Sequence, residues 1–484
     1  MSAAGQFLWH DYETFGTHPA LDRPAQFAGI RTDAQLNIVG DPVEWYCAPA
    51  SDLLPHPVAC LITGITPQDA KEKGVCEADF AKNIHAEMMV PGTCSAGYNN
   101  LKFDDEFTRN IFYRNFRDPY EREWRNGNSR FDLIGLARMC YALRPAGIEW
   151  PINEKGKPSF RLEHLTAANN IGHEGAHDAL ADVRATIDLA RLVLLHQPKL
   201  FNWALGLRKQ KKVMAMLDIT RPEPILHTSA RIPADRGCTS LYLPLAVYPD
   251  RPKSIIAVDL MADPETLIDG SAEQISDLVF SGSEDLPEGL ERIPLKAIHT
   301  NKVPMLAPAI TLRGVDTARI SLDPERCMQH ADRIREHLDS VRMKVMEVFT
   351  RPFPDPPKDP DLMLYGGDFF SSHDRGLMNR ILQTKPEDLA AMDWPFKDKR
   401  LPEMLFRYRA RNYPETLSGN ESKKWLDERR QRAFSPPAHG FPGINELMEE
   451  VSLQRTKSPA DPESNRILDQ LDCWFLSMLK ELKD

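Results

Sequence analysis

A proline-rich stretch divides the chain well past its midpoint. Residues 351–360 contain five prolines. Proline has no backbone N–H donor and a fixed φ angle, so such a stretch continues neither a helix nor a central strand. The sequence therefore predicts a linker over residues 352–360, with separately folded parts on its two sides.

The parts on the two sides of this linker differ in sequence pattern. From residue 7 to about residue 196, apolar strand-like runs alternate with helical periodicity, which indicates an α/β or α+β domain. Short β-type runs between residues 225 and 312 predict a small β-rich domain. The sequence thus predicts an α+β multidomain protein, with domains over residues 1–197, 198–351 (the β-rich domain with flanking helices) and 361–484 (mostly helical).

Composition narrows the class of protein. A chain of 484 residues is longer than one core usually supports. Its eight cysteines form no C-x-x-C pair, which favours free thiols in a reducing compartment over disulfides or zinc. The sequence has neither a secretory signal pattern nor an apolar run of about 18 residues, so we expect a cytoplasmic protein. The net charge of -10 gives no support to a nucleic-acid partner, although binding depends on local basic tracks.

Two acidic residues stand at the end of the first apolar run. Phe7-Leu8-Trp9 leads into Asp11 and Glu13, and side chains two residues apart point to the same face of a strand. Adjacent carboxylates repel each other unless a cation lies between them, and oxygen ligands suit Mg²⁺ or Mn²⁺. The alternative is a strand end with two solvated acids, which is the commoner origin of an isolated D-x-E.

Two further motifs follow in the same predicted domain. Asp104 supplies a third carboxylate, or else Asp104 or Asp105 caps the helix that we expect to begin near Glu106. His177 and Asp182 are five positions apart, about 140° around a helix, so His177 is expected in the loop before the helix. Asp182 would then project from an early turn towards the same cavity. In the alternative, Asp178 caps the helix and His177 is an exposed loop residue.

The order of these motifs resembles that of the DEDDh exonucleases, and the flanking sequence resembles the bacterial exodeoxyribonuclease I family. The resemblance implies an RNase H-like exonuclease domain, an SH3-like middle domain and a helical C-terminal domain. It also implies processive 3′→5′ hydrolysis of single-stranded DNA to 5′-mononucleotides, in DNA repair and recombination. The matching segments are residues 10–33, 61–68, 97–120, 140–151, 158–171, 176–183 and 406–417.

The resemblance also implies roles for the motif residues. Four carboxylates would hold two Mg²⁺ ions, with Mn²⁺ as a substitute, that stabilise the attacking and leaving oxygens. They belong to Asp11, Glu13, Asp104 and Asp182. His177 would be the general base, because it alone among the motif residues has an unperturbed pKa near neutral.

Substrate contacts are implied in the same way. Glu13 and Thr14 would lie by the terminal nucleotide, and Arg161 would contact the substrate. Alternatively, Thr14 is a plain turn residue and Arg161 is a surface charge at the N-terminus of a helix.

Basic and aromatic residues alternate between residues 109 and 144, as expected of a track that binds phosphates and stacks bases. Phe112 and Phe116, four residues apart on a predicted helix, are instead expected in the core. The basic run 208–212 is either a second contact region or a solvated helix face. The DNA contacts that the resemblance favours are Arg109, Tyr120, Trp124, Arg138, Lys296 and Asn301.

A protein partner is also implied by the resemblance. The acidic, hydrophobic-ended tail of single-stranded DNA-binding protein would dock on a basic pocket that includes Arg144. Two positions of that pocket differ from the family pattern, because Trp203 replaces a Tyr and Glu223 replaces a Lys. We expect the protein to be a monomer without membrane contacts.

Two other functions stay open at this point. Another DEDDh exonuclease, of the proofreading or oligoribonuclease type, would share the motifs, although those chains lack a counterpart of residues 200–484. A non-catalytic DNA clamp or repair scaffold would share the fold, although the intact set of five motif residues argues against it.

Overall fold

The computed structural model describes residues 5–173, 178–282, 292–350, 355, 357–435, 441–457 and 461–483. The chain forms two compact units. The first unit comprises Met1–Ser129, Glu174–Arg184 and Asp355–Asp484, and the second comprises Arg130–His173 and Ala185–Pro354. The first unit therefore combines the N-terminal and C-terminal parts of the chain, a grouping that differs from the predicted domains. The predicted boundaries themselves stay a prediction.

Ten strands lie within the described residues. Strands are present between residues 7 and 196 and between residues 225 and 312, as predicted, and the first strand extends through the acidic pair. The strands are β1 (Phe7–Thr14), β2 (Pro24–Thr32), β3 (Val43–Tyr46), β4 (Cys94–Gly97), β5 (Ser129–Asp132), β6 (Ile225–Thr228), β7 (Thr239–Tyr248), β8 (Arg251–Asp259), β9 (Leu295–His299) and β10 (Met305–Pro308).

Eighteen α-helices lie in the described part of the chain, and none of them is long and apolar enough to cross a membrane. They are α1 (Pro57–Thr63), α2 (Pro67–Lys73), α3 (Glu77–Met88), α4 (Asp104–Arg114), α5 (Leu133–Leu143), α6 (Leu162–Ala168), α7 (Ala179–His196), α8 (Pro198–Gly206), α9 (Gln210–Met216), α10 (Glu265–Asp269), α11 (Ala272–Phe280), α12 (Pro324–Glu336), α13 (Leu338–Phe349), α14 (Ser372–Gln383), α15 (Leu401–Asn412), α16 (Gly419–Phe434), α17 (Ile444–Lys457) and α18 (Pro462–Lys483).

The sheet that contains β1 has the order β3-β2-β1-β4-β5. Strand β1 pairs antiparallel with β2 and parallel with β4, so it is a central strand. Aromatic residues favour a strand, and Phe7, Trp9 and Tyr12 are all buried here. Helices α3 and α4 contribute Phe80, Ile84, Phe107 and Ile111 to the core that also contains Leu8 and Phe27.

The C-terminal helices complete the core beside the end of β1. Phe15, immediately after the strand, is fully buried in a cluster with Leu471 and Phe475 of α18 and Leu447 of α17. Helix α1 packs against α17 and α18, and α2 packs against α18. The end of β1 is therefore held by side chains from the other end of the chain.

A buried network of charges lies elsewhere in the first unit. Asp52 accepts hydrogen bonds from Arg411 and Arg432 at 2.9 Å, and Asp361 accepts from the same two arginines at 2.7 and 3.0 Å. Burial alone would raise the pKa of Asp52, but the arginines hold it below its usual value. The pKa of Asp361 is likewise held well below its usual value by Arg411, Arg407 and Arg432 against burial. Both acids are therefore ionised and paired.

The second unit contains an antiparallel sheet with the order β10-β6-β7-β8-β9. Helix α13 packs on β7, and α5 packs against β6, β7 and β10. Buried apolar residues such as Leu241, Ile256 and Leu306 form the interior. The β-rich domain predicted from the short strand patterns is thus present within this unit.

Removing one charge from the buried network tests its contribution to stability. In Asp361→Asn, Arg407, Arg411 and Arg432 each lose a charged partner that is itself buried, so we expect the free energy of unfolding to fall by about 3–5 kcal/mol. Denaturant unfolding measures this loss. The matched control is Asp427→Asn, whose carboxylate is 72% exposed and pairs with Arg430 at 3.3 Å, and it should cost less than about 1 kcal/mol. Equal losses in the two variants would contradict the role of the network.

Candidate active site

The acidic pair lies on β1, as the sequence predicted. Asp11 and Glu13 are two residues apart within the strand, so their side chains share a face of the sheet. Glu13 is buried, with 7% of its surface exposed, and Asp11 is half-buried. The alternative of two solvated acids at a strand end is therefore wrong.

The first turn of α7 brings a third carboxylate to the pair. Ligand oxygens of Asp11, Glu13 and Asp182 all lie within 4.8 Å of one another. Asp178 precedes the helix, and its carboxylate accepts a hydrogen bond from the backbone N–H of Ala181 at 3.1 Å. Asp178 thus caps the helix, as the alternative had it, and Asp182 lies in the first turn, as predicted.

Asp104 is the first residue of α4 and is 2% exposed. The alternative that Asp104 or Asp105 precedes and caps this helix is wrong, because the helix begins at Asp104 itself. The Asp104 carboxylate accepts a hydrogen bond from the backbone N–H of Tyr12 at 3.1 Å. This bond fixes the Asp104 carboxylate beside β1, the strand that carries Asp11 and Glu13.

The charges of these acids oppose one another. Burial and then the nearby carboxylates of Asp104, Glu13 and Asp182 raise the pKa of Asp11 well above its usual value. Burial, followed by Asp182 and Asp104, raises the pKa of Glu13 to about 9. A bound cation would favour the charged forms of Asp11 and Glu13 and so relieve this repulsion.

The two remaining predicted residues of this site are His177 and Thr14. His177 lies outside the described residues. Thr14 is buried, and its hydroxyl donates a hydrogen bond to the carbonyl of Gly16 at 2.7 Å. This bond fits a turn residue, and contact with a terminal nucleotide stays a prediction for Thr14.

A cavity of about 680 Å³ in the first unit contains two of the predicted DNA contacts. Tyr120 and Trp124 line it together with Tyr365 and Phe369. Trp124 is 67% exposed and Phe369 is 85% exposed, although large apolar side chains are usually covered. The cavity also contains guanidinium groups, from Arg117, Arg125, Arg375 and Arg400.

Sequence reasoning missed Tyr365 and Phe369. Their signal was available, because two large aromatic residues flank the Gly366-Gly367 pair in a segment without strand or helix periodicity. In the described structure this segment is irregular and exposes both rings.

Arg109, a predicted DNA contact beside this cavity, is buried and paired with acids. Its guanidinium pairs with Glu106 at 2.6 Å and with Glu123 at 2.7 Å, and it lies 5.6 Å from the centre of the Tyr120 ring. With only 4% of its surface exposed, it supports Tyr120 and presents little charge to solvent. Phe112 and Phe116 are buried in the core, as predicted.

The other predicted contacts belong to the second unit. Arg161 is exposed and lies 3.8 Å from Glu163. Arg144 donates a hydrogen bond to the carbonyl of Thr311 at 3.1 Å. The remaining three are placed as follows: Arg138 lies 5.7 Å from the ring centre of Phe160, Lys296 lies 6.0 Å from that of Tyr242, and the carbonyl of Asn301 accepts from Arg130 at 3.2 Å.

Three protein-family models match the chain. Their descriptions are Exonuclease for residues 8–190, Exonuclease I SH3-like domain for residues 208–351, and Exonuclease I C-terminal domain for residues 358–478. These matches confirm the predicted fold class, with an exonuclease domain, an SH3-like domain and a C-terminal domain.

Whole-chain comparisons agree with the domain matches. The chain is 50% identical over 431 residues to exodeoxyribonuclease I of Escherichia coli, which covers 89% of this chain and 90% of that protein. The structure of E. coli exonuclease I in complex with a dA16 oligonucleotide matches with a TM-score of 0.94 and 46% identity, covering 98% of this chain and 100% of the other. A zinc-bound form of the E. coli enzyme with single-stranded DNA matches with a TM-score of 0.93 and 46% identity, over 98% and 99% of the two chains. The chain therefore belongs to the exodeoxyribonuclease I family.

Proposed function

We propose that this protein is an exodeoxyribonuclease that hydrolyses single-stranded DNA processively from its 3′ end and releases 5′-mononucleotides. The observation that carries the proposal is the cluster of Asp11, Glu13 and Asp182, whose carboxylate oxygens converge within 4.8 Å beside Asp104. The similarity to E. coli exonuclease I, which has been crystallised with oligonucleotides, supports single-stranded DNA as the substrate.

The residues of the cluster fit divalent cations. All of the donors are carboxylate oxygens, which suit the hard ions Mg²⁺ and Mn²⁺ better than softer metals. The raised pKa values of Asp11 and Glu13 follow from burial and from carboxylates that face each other. We propose two Mg²⁺ ions as the natural cofactor, held by Asp11, Glu13, Asp104 and Asp182, with Mn²⁺ as a substitute.

Each part of the site has a separate task in the proposed mechanism. The four acids would hold the cations, which would supply positive charge to stabilise the attacking and leaving oxygens. The backbone N–H of Tyr12 keeps the Asp104 carboxylate oriented. His177 is proposed as the general base that takes a proton from the attacking water, because its unperturbed pKa is close to neutral.

The aromatic cavity is proposed to bind the strand behind its 3′ end. Exposed rings stack with bases of any sequence, and guanidinium groups contact phosphates, which together suit an enzyme without sequence preference. Trp124 and Phe369 present the most open rings. Arg109 is proposed to act through Tyr120, since its own charge is paired with Glu106 and Glu123. Contacts with DNA by Arg138, Arg161, Lys296 and Asn301 also remain proposals.

A partner interaction is proposed on the family resemblance. Arg144 would bind the acidic tail of single-stranded DNA-binding protein. At the two altered positions, Trp203 has Lys212 3.5 Å from its ring centre, and the Glu223 carboxylate pairs with Arg335 at 2.8 Å. Lys212 therefore supplies a positive charge next to Trp203. A monomeric state, a cytoplasmic location and a role in DNA repair complete the proposal.

Removing one acid tests the enzymatic activity. We expect Asp182→Ala to lower the rate of nucleotide release from a 3′-labelled single strand by about 10²–10³-fold with Mg²⁺ present, because the cluster loses a ligand. The matched control, Asp188→Ala, lies on the same helix with its carboxylate 46% exposed, and it should keep full activity. Release by Asp182→Ala at the wild-type rate would exclude the assigned site.

Substrate choice separates this proposal from its two alternatives. The wild-type protein should degrade single-stranded DNA faster than duplex DNA or short RNA. Preference for short RNA would favour an oligoribonuclease, and no release from any substrate would favour a non-catalytic scaffold.

Stability without metal should depend on pH. The pKa of Glu13 is about 9 in the folded protein, above its usual value near 4.5, so its protonated form stabilises the fold. This stabilisation is fully present below about pH 4.5 and is lost as the pH rises through about 9. In EDTA, the melting temperature should therefore fall between about pH 5 and 9, and Mg²⁺ should raise it most at the upper end.

Two variants isolate the contribution of Glu13 to this slope. Glu13→Gln should flatten the fall in melting temperature, whereas Glu449→Gln, which changes an exposed acid on α17, should leave it unchanged. An unaltered slope in Glu13→Gln would show that the carboxylate cluster is not the source.

Removing an exposed ring tests the stacking surface. Loss of one base stack is worth about 1–3 kcal/mol, so Trp124→Ala and Phe369→Ala should each raise KM for single-stranded DNA about 5- to 150-fold with little change in kcat. The matched control is Phe434→Ala on α16, whose ring is 45% exposed and does not line the cavity. Phe434→Ala should keep the wild-type KM. Steady-state kinetics on an oligonucleotide measure these values, and a wild-type KM in Trp124→Ala and Phe369→Ala as well would contradict the proposal.

A further inference from the structure

A buried glutamine lies next to the acidic strand and has no assigned role. Gln26 is on β2, directly opposite Glu13 of β1 in the sheet register, and its surface is 0% exposed. A polar side chain that is completely buried must have hydrogen-bond partners, or it costs stability. The partners of Gln26 therefore indicate what its position requires.

The amide of Gln26 contacts the start of α7 at two points. Its nitrogen donates to the Asp178 carboxylate at 3.2 Å, and its oxygen accepts from the backbone N–H of Ala179 at 3.4 Å. The other carboxylate oxygen of Asp178 accepts from Ala181 and caps the helix. Gln26 thus holds both the cap and the first residue of the helix that carries Asp182.

The same amide nitrogen also ties α7 to the neighbouring strand. It donates to the Glu44 carboxylate at 2.8 Å and lies 3.0 Å from the hydroxyl of Tyr46, both on β3. The amide carries no net charge, but it bridges two carboxylates that would otherwise repel each other. The two N–H groups of an amide can serve the two carboxylates while its oxygen accepts from Ala179, which neither a carboxylate nor an apolar side chain can do.

We infer that Gln26 is a positioning residue for the metal site. Gln26 fixes the first turn of α7 against β2. Because Glu13 lies opposite Gln26 in the sheet, this contact sets the position of Asp182 relative to Glu13. Groups that orient metal ligands typically change metal affinity or activity by about 10–100-fold when removed. The inference rests on the proposed metal-dependent function of the acidic cluster.

Metal binding without DNA is the primary test. Mn²⁺ binding to the full-length protein is measured by electron paramagnetic resonance, and Gln26→Leu should weaken it about 10-fold or more. The matched control is Gln68→Leu, which removes a 2.6 Å hydrogen bond to the carbonyl of Gln470 in the same unit. That control should lower the melting temperature but leave Mn²⁺ affinity unchanged. Unaltered affinity in Gln26→Leu, or equal weakening in the two variants, would overturn the inference.

A reciprocal exchange tests the contact directly and does not depend on whether Gln26→Leu folds. In Gln26→Glu, the new carboxylate faces those of Asp178 and Glu44, so Mn²⁺ binding should again weaken. When Gln26→Glu is combined with Asp178→Asn, the amide introduced at position 178 can donate to the carboxylate introduced at position 26 and still cap the helix. Mn²⁺ affinity should therefore recover at least in part, and absence of any recovery would count against the contact.

Kinetics then separate positioning from substrate binding. At limiting Mg²⁺, Gln26→Leu should lower kcat about 10-fold or more while KM for single-stranded DNA stays at the wild-type value. If the wild-type protein itself fails to bind Mn²⁺, the proposed function fails. If wild type binds Mn²⁺ and Gln26→Leu binds it equally well, only the role of Gln26 fails.

Discussion

Repulsion between buried carboxylates is the constraint on which the rest of the first unit depends. Asp11, Glu13, Asp104 and Asp182 come from one strand and two helices, and the carboxylates of Asp104 and Asp182 disfavour the negative charges of Asp11 and Glu13. Such a cluster would relax by moving its side chains apart if their supports were weak. The supports must therefore be rigid, and they are built from buried hydrogen bonds and close-packed apolar residues.

Those supports come from distant parts of the chain. The backbone of Tyr12 fixes Asp104, and the amide of Gln26 fixes the helix that carries Asp182. Phe15 anchors the end of β1 among the C-terminal helices. Farther away, Asp52 and Asp361 join the loop after β3 to α15 and α16 through shared arginines. Both the geometry of the site and the stability of the first unit thus depend on contacts between residues far apart in the sequence.

Local patterns predicted much of this arrangement. The two-residue period of a strand put Asp11 and Glu13 on one face, and the helical period put Asp182 in an early turn. Those patterns could not show whether Asp104 is a metal ligand or a helix cap, because an acid at the start of a helix can have either role. They also gave no sign of Gln26 or of Asp361, since a buried polar residue looks in sequence like a solvated one. The packing of Phe15 on α18 joins opposite ends of the chain, which no local period encodes.

The discontinuous first unit has a consequence for how the protein is made. Its N-terminal strands leave the ribosome early, but α18, which closes the core beside Phe15, is synthesised after the whole of the second unit. The second unit, in contrast, ends at Pro354 and is complete while α14 to α18 are still to be made. A chain that ends before α18 therefore lacks the packing that holds the end of β1. The core beside Phe15 can therefore close only after α18 has been synthesised.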